Sequence, residues 1–268
     1  MFPGPNYDRI NGRRYEVLTQ FTEVRPVLWA AAAAALVAGI IKTAFGVGAG
    51  AFLTPLLSLF VGSKEAVALI APMMLITDLI TLYVFWRRWD TQQVRILIPG
   101  CLVGTIIGSY YLSSISPATA KITIGCLAVM FALFQLLGSR FLGPLDQLRF
   151  ARWQVWSVSF FAGVASSLAH SGGIVVTIYL VSTGLTKEAF VATLVSVLLF
   201  MDIAKMVLFG SLHILTIQTA TLGLLLTPLL LLGSWLGNRL MHALSKERYA
   251  QCVNLLILAS GMLLLVRR

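Results

Sequence analysis

The sequence predicts an all-α polytopic membrane protein, built as two repeats of about four transmembrane helices, each repeat opening on a broken first helix. Three observations carry this. Of 268 residues, 58% are hydrophobic and only 11% are charged, whereas a soluble domain carries about 25% charged residues. Several apolar runs exceed the ~18 residues that mark a membrane span. Polar and glycine landmarks of the first half recur in order in the second half. The short alternating segments of a transmembrane β-barrel are absent.

The net charge of +10 falls mainly in loops near helix ends, as the positive-inside rule expects. It builds no basic, aromatic-interleaved groove, so a lipid bilayer is expected as a partner and nucleic acid is not. Cys101, Cys126 and Cys252 lie in apolar runs without CxxC or CxxH spacing. They read as small buried residues, with no metal site, disulfide framework or cofactor implied.

Residues 1–26 form a polar N-terminal segment with Arg9, Arg13, Arg14 and Arg25. It lacks an apolar core followed by a small-residue cleavage site, so no cleavable signal peptide is expected. The first repeat is assigned to 27–137. Its opening run, Val27–Gly62, would be ~54 Å long as a straight helix, against a hydrocarbon core of ~30 Å. The run is interrupted at Lys42-Thr43-Ala44-Phe45-Gly46-Val47-Gly48-Ala49-Gly50. Each glycine there weakens a helix by roughly 1 kcal/mol relative to alanine, and a lysine in a bilayer core costs on the order of 3 kcal/mol. Either the run crosses once as two half-helices, or it turns back as a hairpin. A corner at Gly62–Glu65 and a span from about Ala66 to Trp86 follow. Beyond a charged loop with Arg87, Arg88, Asp90 and Arg95, spans are expected at Ile96–Leu112 and Ala120–Leu137.

Residues 138–154 are the one long polar connection, with Arg140, Pro144, Asp146, Arg149 and Arg152, and divide the chain nearly in half. The second repeat, 155–268, begins with Trp156–Gly184, interrupted at His170-Ser171-Gly172-Gly173. Lys187-Glu188-Ala189 echoes Lys64-Glu65-Ala66 at a spacing of 123, and Asp202 echoes Asp78 at 124. Ala162-Gly163 echoes Ala38-Gly39, and Pro228, Gly233 and Gly237 echo Pro99, Gly104 and Gly108 at 129. The last spans are Thr219–Leu240 and Tyr249–Val266. Trp86, Trp89, Trp153 and Trp156 suit interfacial belts.

If each broken run crosses once, there are eight crossings, and 12 loop cations share the N-terminal side against 6 opposite. If each crosses twice, the split is 8 against 10. The positive-inside rule favours eight, which makes the halves parallel repeats with both termini cytoplasmic.

The two breaks are the candidate solute site. An unwound stretch exposes backbone groups that hydrocarbon cannot satisfy, so it needs protein or a water-lined cavity around it. The half-helices starting near Gly50 and Gly173 would present N–H groups and positive dipole ends to an anion. Lys42 adds a charge; Thr43, Ser166, Ser167, His170 and Ser171 add groups that could orient oxygens. The structural alternative is that the glycines only allow close helix packing. Asp78 and Asp202 are the acids well inside spans. Asp202 and Lys205, three apart, share a helix face and could pair; the alternatives are a structural ion pair or proton coupling. Pro55 and Pro228 would shape kinks.

The segment Ala38–Gly50, ending in Pro55-Leu56-Leu57, resembles the opening signature of the TauE/SafE family of sulfite and organosulfonate exporters. Ala162-Gly163 with Ser171-Gly172-Gly173 is similar to the family's repeated signature, and the likeness extends over nearly the whole chain from Val27. It implies a secondary transporter of small anions such as sulfite, sulfoacetate or related sulfonates, in a prokaryotic plasma (inner) membrane. It also implies that Gly46, Gly48, Gly50, Pro55, Gly172 and Gly173 frame the substrate path. Lys42 and the spread glycines depart from the pattern, and Tyr179 stands where the first half has Pro55. The competing classes are an anion channel or passive membrane subunit of a larger complex, and an intramembrane enzyme. The chain lacks HExxH, Gly-x-Gly-Asp and an ATP-binding motif, so neither an enzyme nor a one-chain primary pump is expected.

Overall fold

A computed structural model describes residues 29, 31–40, 49–141, 149–243 and 246–266. Lys42, Thr43, Gly46 and Gly48 lie outside the described residues. Those described form ten helices and no strand: α1 Ala31–Ile40, α2 Ala49–Val61, α3 Ser63–Val84, α4 Thr91–Ser114, α5 Pro117–Phe141, α6 Arg152–Ala169, α7 Gly172–Val181, α8 Lys187–Ser211, α9 Ile217–Ala243 and α10 Lys246–Val266. Five of them, α3, α4, α5, α8 and α9, contain stretches long and apolar enough to cross a bilayer.

Local chemistry sets the joints. Gly62, at φ +92°, turns the chain between α2 and α3 in a single residue, a conformation that favours glycine. Asp90 caps α4 by accepting from the Gln93 N–H at 2.9 Å. Thr186 caps α8, and Pro117 opens α5 at the position where a missing N–H costs nothing. Burial is inverted relative to a soluble protein: Leu225 is 69% and Val207 68% exposed, while Lys205 is 1% exposed. Such a surface suits hydrocarbon, with the polar groups held inside. Cys101 is buried as expected, but Cys126 faces outward from α5.

Contacts between helices give their directions. The first face is the end where α2 meets α3; the second is the end where α3 gives way to α4. α4 and α6 run side by side from the second face, with Gly100 against Ser159, Gly104 against Gly163 and Gly108 against Ser167. α9 runs with α3, Gly223 lying against Leu69 and Pro72. α1 follows α9, with Leu36 under Gly233 and Ile40 beside Gly237. α10 runs opposite to α5, with Gly261 against Ala128 and Leu265 against Gly125.

These directions overturn the single-crossing expectation. Val155, near the start of α6, shares a core with Val176, Tyr179 and Leu180 of α7. The Phe150 ring meets the Tyr179 ring edge-on at 5.6 Å. The second broken run is therefore a helical hairpin that returns to the face it left. α1 and α2 also pack side by side, Ala31, Ala34, Ala35 and Ala38 sharing a core with Leu53 and Leu57. α2 then runs to the first face, opposite to α1. Lys187 consequently falls at the end carrying Arg87, Arg88 and Arg95, where Val191 packs near Trp89. The count of 12 against 6 rested on Lys187 lying opposite those arginines. The α1–α5 and α6–α10 segments run in opposite senses, not in parallel.

Two crossings match in detail. A Cβ on Gly104 would strike the Phe160 carbonyl oxygen and then the Gly163 Cα at 3.1 Å; on Gly233 it would strike the Leu36 oxygen and then the Gly39 Cα at 3.1 Å. Leu36 and Phe160 are 124 residues apart, as are Gly39 and Gly163. Glycines here bring backbones into direct contact.

Candidate functional site

The α6–α7 hairpin turns on His170, whose left-handed backbone (φ 48°, ψ 30°) costs a non-glycine residue roughly 1–2 kcal/mol. Both ring nitrogens are held. Nε2 lies 2.9 Å from the Val67 carbonyl oxygen on α3, and Nδ1 lies 3.0 Å from Lys205 Nζ on α8. An ammonium only donates, so Nδ1 accepts, and Nε2 carries the hydrogen given to Val67. The imidazole is thus neutral and bridges two helices from the hairpin tip.

Lys205 uses all three hydrogens. It donates to Asp202 Oδ1 at 2.6 Å, to His170 Nδ1, and to the Ser166 carbonyl oxygen at 3.4 Å. Ser166 lies in the last turn of α6, at the negative end of the helix dipole, and its carbonyl also accepts from the His170 N–H at 3.0 Å. The lysine thus neutralises both a carboxylate and a helix end. The rest of that end is also engaged: Ala165 O accepts from the Ser171 N–H and Oγ, and Ala169 O accepts from Thr54 Oγ1 on α2 at 3.2 Å.

Two helix N-termini meet this tip. Gly50 abuts His170 so closely that a Cβ would collide with the His170 side chain and lie 2.5 Å from its carbonyl oxygen. Ala51 of α2 packs with Ile174 of α7 and Ala165 of α6. Ser171 precedes α7 but makes no side-chain cap, its hydroxyl being turned back to Ala165. From this meeting point α2 runs to the first face and α7 to the second, so both positive ends point inward.

Of the residues singled out by sequence, Gly50, Ser166, His170, Ser171, Gly172, Gly173, Asp202 and Lys205 gather at this tip. All are buried. Pro55 is buried just over one turn along α2. Asp78 is not part of the cluster. It lies eleven residues, ~16 Å, beyond Val67 along α3, and is buried among interactions of its own. Tyr179 ties the end of α7 to α4, donating to Gln93 Oε1 at 2.6 Å. Sequence reasoning missed Val67, which acts through its backbone and leaves no side-chain signal. It also missed Thr54, although Gly50, Thr54, Ser58 and Gly62 recur at intervals of four, one side of a helix.

A family model described as Sulfite exporter TauE/SafE matches residues 31–264. No curated protein and no solved structure gives a match.

Proposed function

The chain belongs to the sulfite exporter TauE/SafE family, and from that premise we propose that it is a secondary transporter exporting small anions of the sulfite or organosulfonate type by alternating access. The observation that supports this reading is the convergence of the α2 and α7 N-termini on His170, beside a lysine that cancels the negative end of α6. Backbone N–H groups and dipole ends suit a sulfonate or sulfite oxygen cluster without demanding one geometry. Lys42 and Thr43 complete the site from the first break, together with Gly46 and Gly48.

In this reading the chain is two inverted repeats, 27–137 and 155–268, joined by the linker 138–154 and preceded by the segment 1–26. The matched glycine crossings and opposite helix directions support it. Alternating access follows if one hairpin and its neighbours rock against the other. Protons couple through Asp202. A proton on that carboxylate removes the partner of Lys205 and frees the ammonium for an incoming anion, so proton and anion load together. The basic second face, with Arg87, Arg88, Arg95, Arg149, Arg152 and Lys187, lies in the cytoplasm, and the start of α1 and the end of α10 lie opposite. This replaces the expectation of cytoplasmic termini. Single cysteines at Ser182 and Ser116, labelled from outside intact cells, test the orientation; labelling at Ser182 but not Ser116 would reverse it.

The decisive experiment is a flux panel. Purified protein in vesicles should move sulfite or sulfoacetate with saturation, and should move sulfate and small carboxylates less well. Absence of saturable movement of every anion tried would refute the transporter reading.

A further inference from the structure

Asn254 on α10 is 4% exposed, and its side-chain Oδ1 has no hydrogen-bond partner. Thr105 Oγ1 and Thr177 Oγ1 share that state among the described residues, but a hydroxyl can rotate to give its hydrogen to a carbonyl one turn back in its own helix. An amide oxygen only accepts, and the N–H groups around it are spent on the helix. Its donor must come from outside α10, and a buried acceptor left without one costs stability.

Asn254 sits level with the start of α2. α10 packs on α2, and Ile257 and Leu258 share a core with Phe52 and Leu56. α5 starts at the first face and α10 runs opposite to it, so α10 and α2 both run toward the first face. A step of three residues, ~4.5 Å, leads back from Ile257 to Asn254 and from Phe52 to Ala49, the first residue of α2. Asn254 also lies on the inner side of α10. Ile257 and Leu264 are buried there, while Leu255, Leu256, Met262 and Leu263 face outward. On that inner side Gly261 lies on Ala128 of α5, and Leu264 joins a core with Val67 of α3. The amide therefore points inward between α5 and the start of α2, where Gly50 abuts His170.

The two groups that meet here ask for different things. The first N–H groups of α2 have no partner within the helix and attract anionic oxygens. The Asn254 oxygen repels such oxygens and takes a hydrogen instead. An oxyanion that keeps one hydrogen satisfies both. We propose that Asn254 is a specificity residue of the transport site: its Oδ1 accepts the hydrogen of a monoprotonated oxyanion such as hydrogensulfite, whose charged oxygens lie at the α2 N-terminus. It thereby favours that ion over a sulfonate, which has no hydrogen to give. The assignment rests on the transporter reading for the site, but it is measured by binding alone.

The test uses the full-length protein in nanodiscs, at a mildly acid pH where hydrogensulfite predominates over sulfite. Unfolding midpoints measured against hydrogensulfite and against methanesulfonate give the two affinities. The wild type should bind hydrogensulfite about tenfold more tightly, as one buried hydrogen bond allows. Asn254→Leu, of nearly the same shape, should erase that preference, chiefly by weakening hydrogensulfite. It should also raise the unfolding midpoint of the empty protein, because the unpaired oxygen is gone. Asn254→Ala should erase the preference as well, with no larger side chain to fit. Equal binding of the two anions by the wild type, or a preference that survives both variants, would overturn the assignment even where the wild type transports. So would a midpoint that falls in Asn254→Leu while binding is unchanged, which marks a purely structural amide. A preference that is lost with Asn254, in a wild type that moves no anion in the flux panel, would leave the assignment standing and refute the transporter reading.

Discussion

Replacing Asp202 by Asn is the most informative perturbation of the buried cluster. Lys205 is 1% exposed and Asp202 4%, so the remaining ammonium would have no counter-charge and no water. Breaking a buried pair by removing one partner costs on the order of 3–5 kcal/mol. Lys205→Met should also destabilise, because it removes the ammonium beside Asp202 Oδ1 and leaves His170 Nδ1 without a donor. The double variant Asp202→Asn/Lys205→Met removes both charges of the pair together. Its main cost is the unpaired His170 nitrogen, ~1–3 kcal/mol, since the Ser166 carbonyl keeps the His170 N–H at 3.0 Å; that is well short of the sum of the single costs. Thermal unfolding in nanodiscs, followed by tryptophan fluorescence, measures all three. Asn also mimics the protonated carboxylate. Sulfite or sulfoacetate should therefore stabilise Asp202→Asn more than wild type, since the anion supplies the missing negative charge. Single variants within ~0.5 kcal/mol of wild type, or strictly additive costs, would refute the ion-pair reasoning. Equal stabilisation by anion would refute its link to loading.

Three further outcomes test the site and the scaffold. Gly50→Ala should abolish most flux, and a detergent-stable protein with full flux would show that the α2 start need not touch His170. Gly104→Ala and Gly233→Ala should each destabilise by ~1–3 kcal/mol through backbone overlap, and by similar amounts because their contacts match; unfolding midpoints decide. Lys42→Ala should weaken anion transport while leaving the protein folded, and wild-type flux in that variant would remove Lys42 from the mechanism.

The membrane class was legible because a bilayer restricts the answer: long apolar runs can only be helices. The breaks were legible because glycines, His170 and a lysine oppose a continuous apolar helix. The direction of the chain after each break was not. Glycine at the same density permits an unwound crossing or a reversal, and the choice is made by contacts such as Phe150 with Tyr179, 29 residues apart. The spacing of Asp202 and Lys205 announced a pair. Its third member did not announce itself, because His170 reaches Lys205 across 35 residues. Asp78 was grouped with Asp202 by sequence echo alone, and opposite helix directions carry it away from the His170 cluster. Gly104 and Gly233 were visible as equivalents, but their partners, Gly163 and Gly39, each come from the other half of the chain.

The arrangement has a consequence for energy coupling. Asp202 and Lys205 together add no net charge, so in the proposed site attraction for the first anion comes from Lys42 and from backbone ends that do not titrate. A proton on Asp202 leaves a net positive cluster that one monoanion neutralises. The loaded centre is then neutral, as the empty one is, and a cycle carrying one proton with one monoanion moves no charge. Flux of a permanently ionised sulfonate should therefore rise when its own side is acidified, and should be indifferent to a membrane potential imposed with potassium and valinomycin. Asp202→Asn should reverse both properties, because its centre is positive when empty and neutral when loaded at any pH: flux becomes flat with pH and responds to potential. Potential-driven sulfonate flux in the wild type would refute coupling through Asp202 and reduce the pair to a clasp on the hairpin tip.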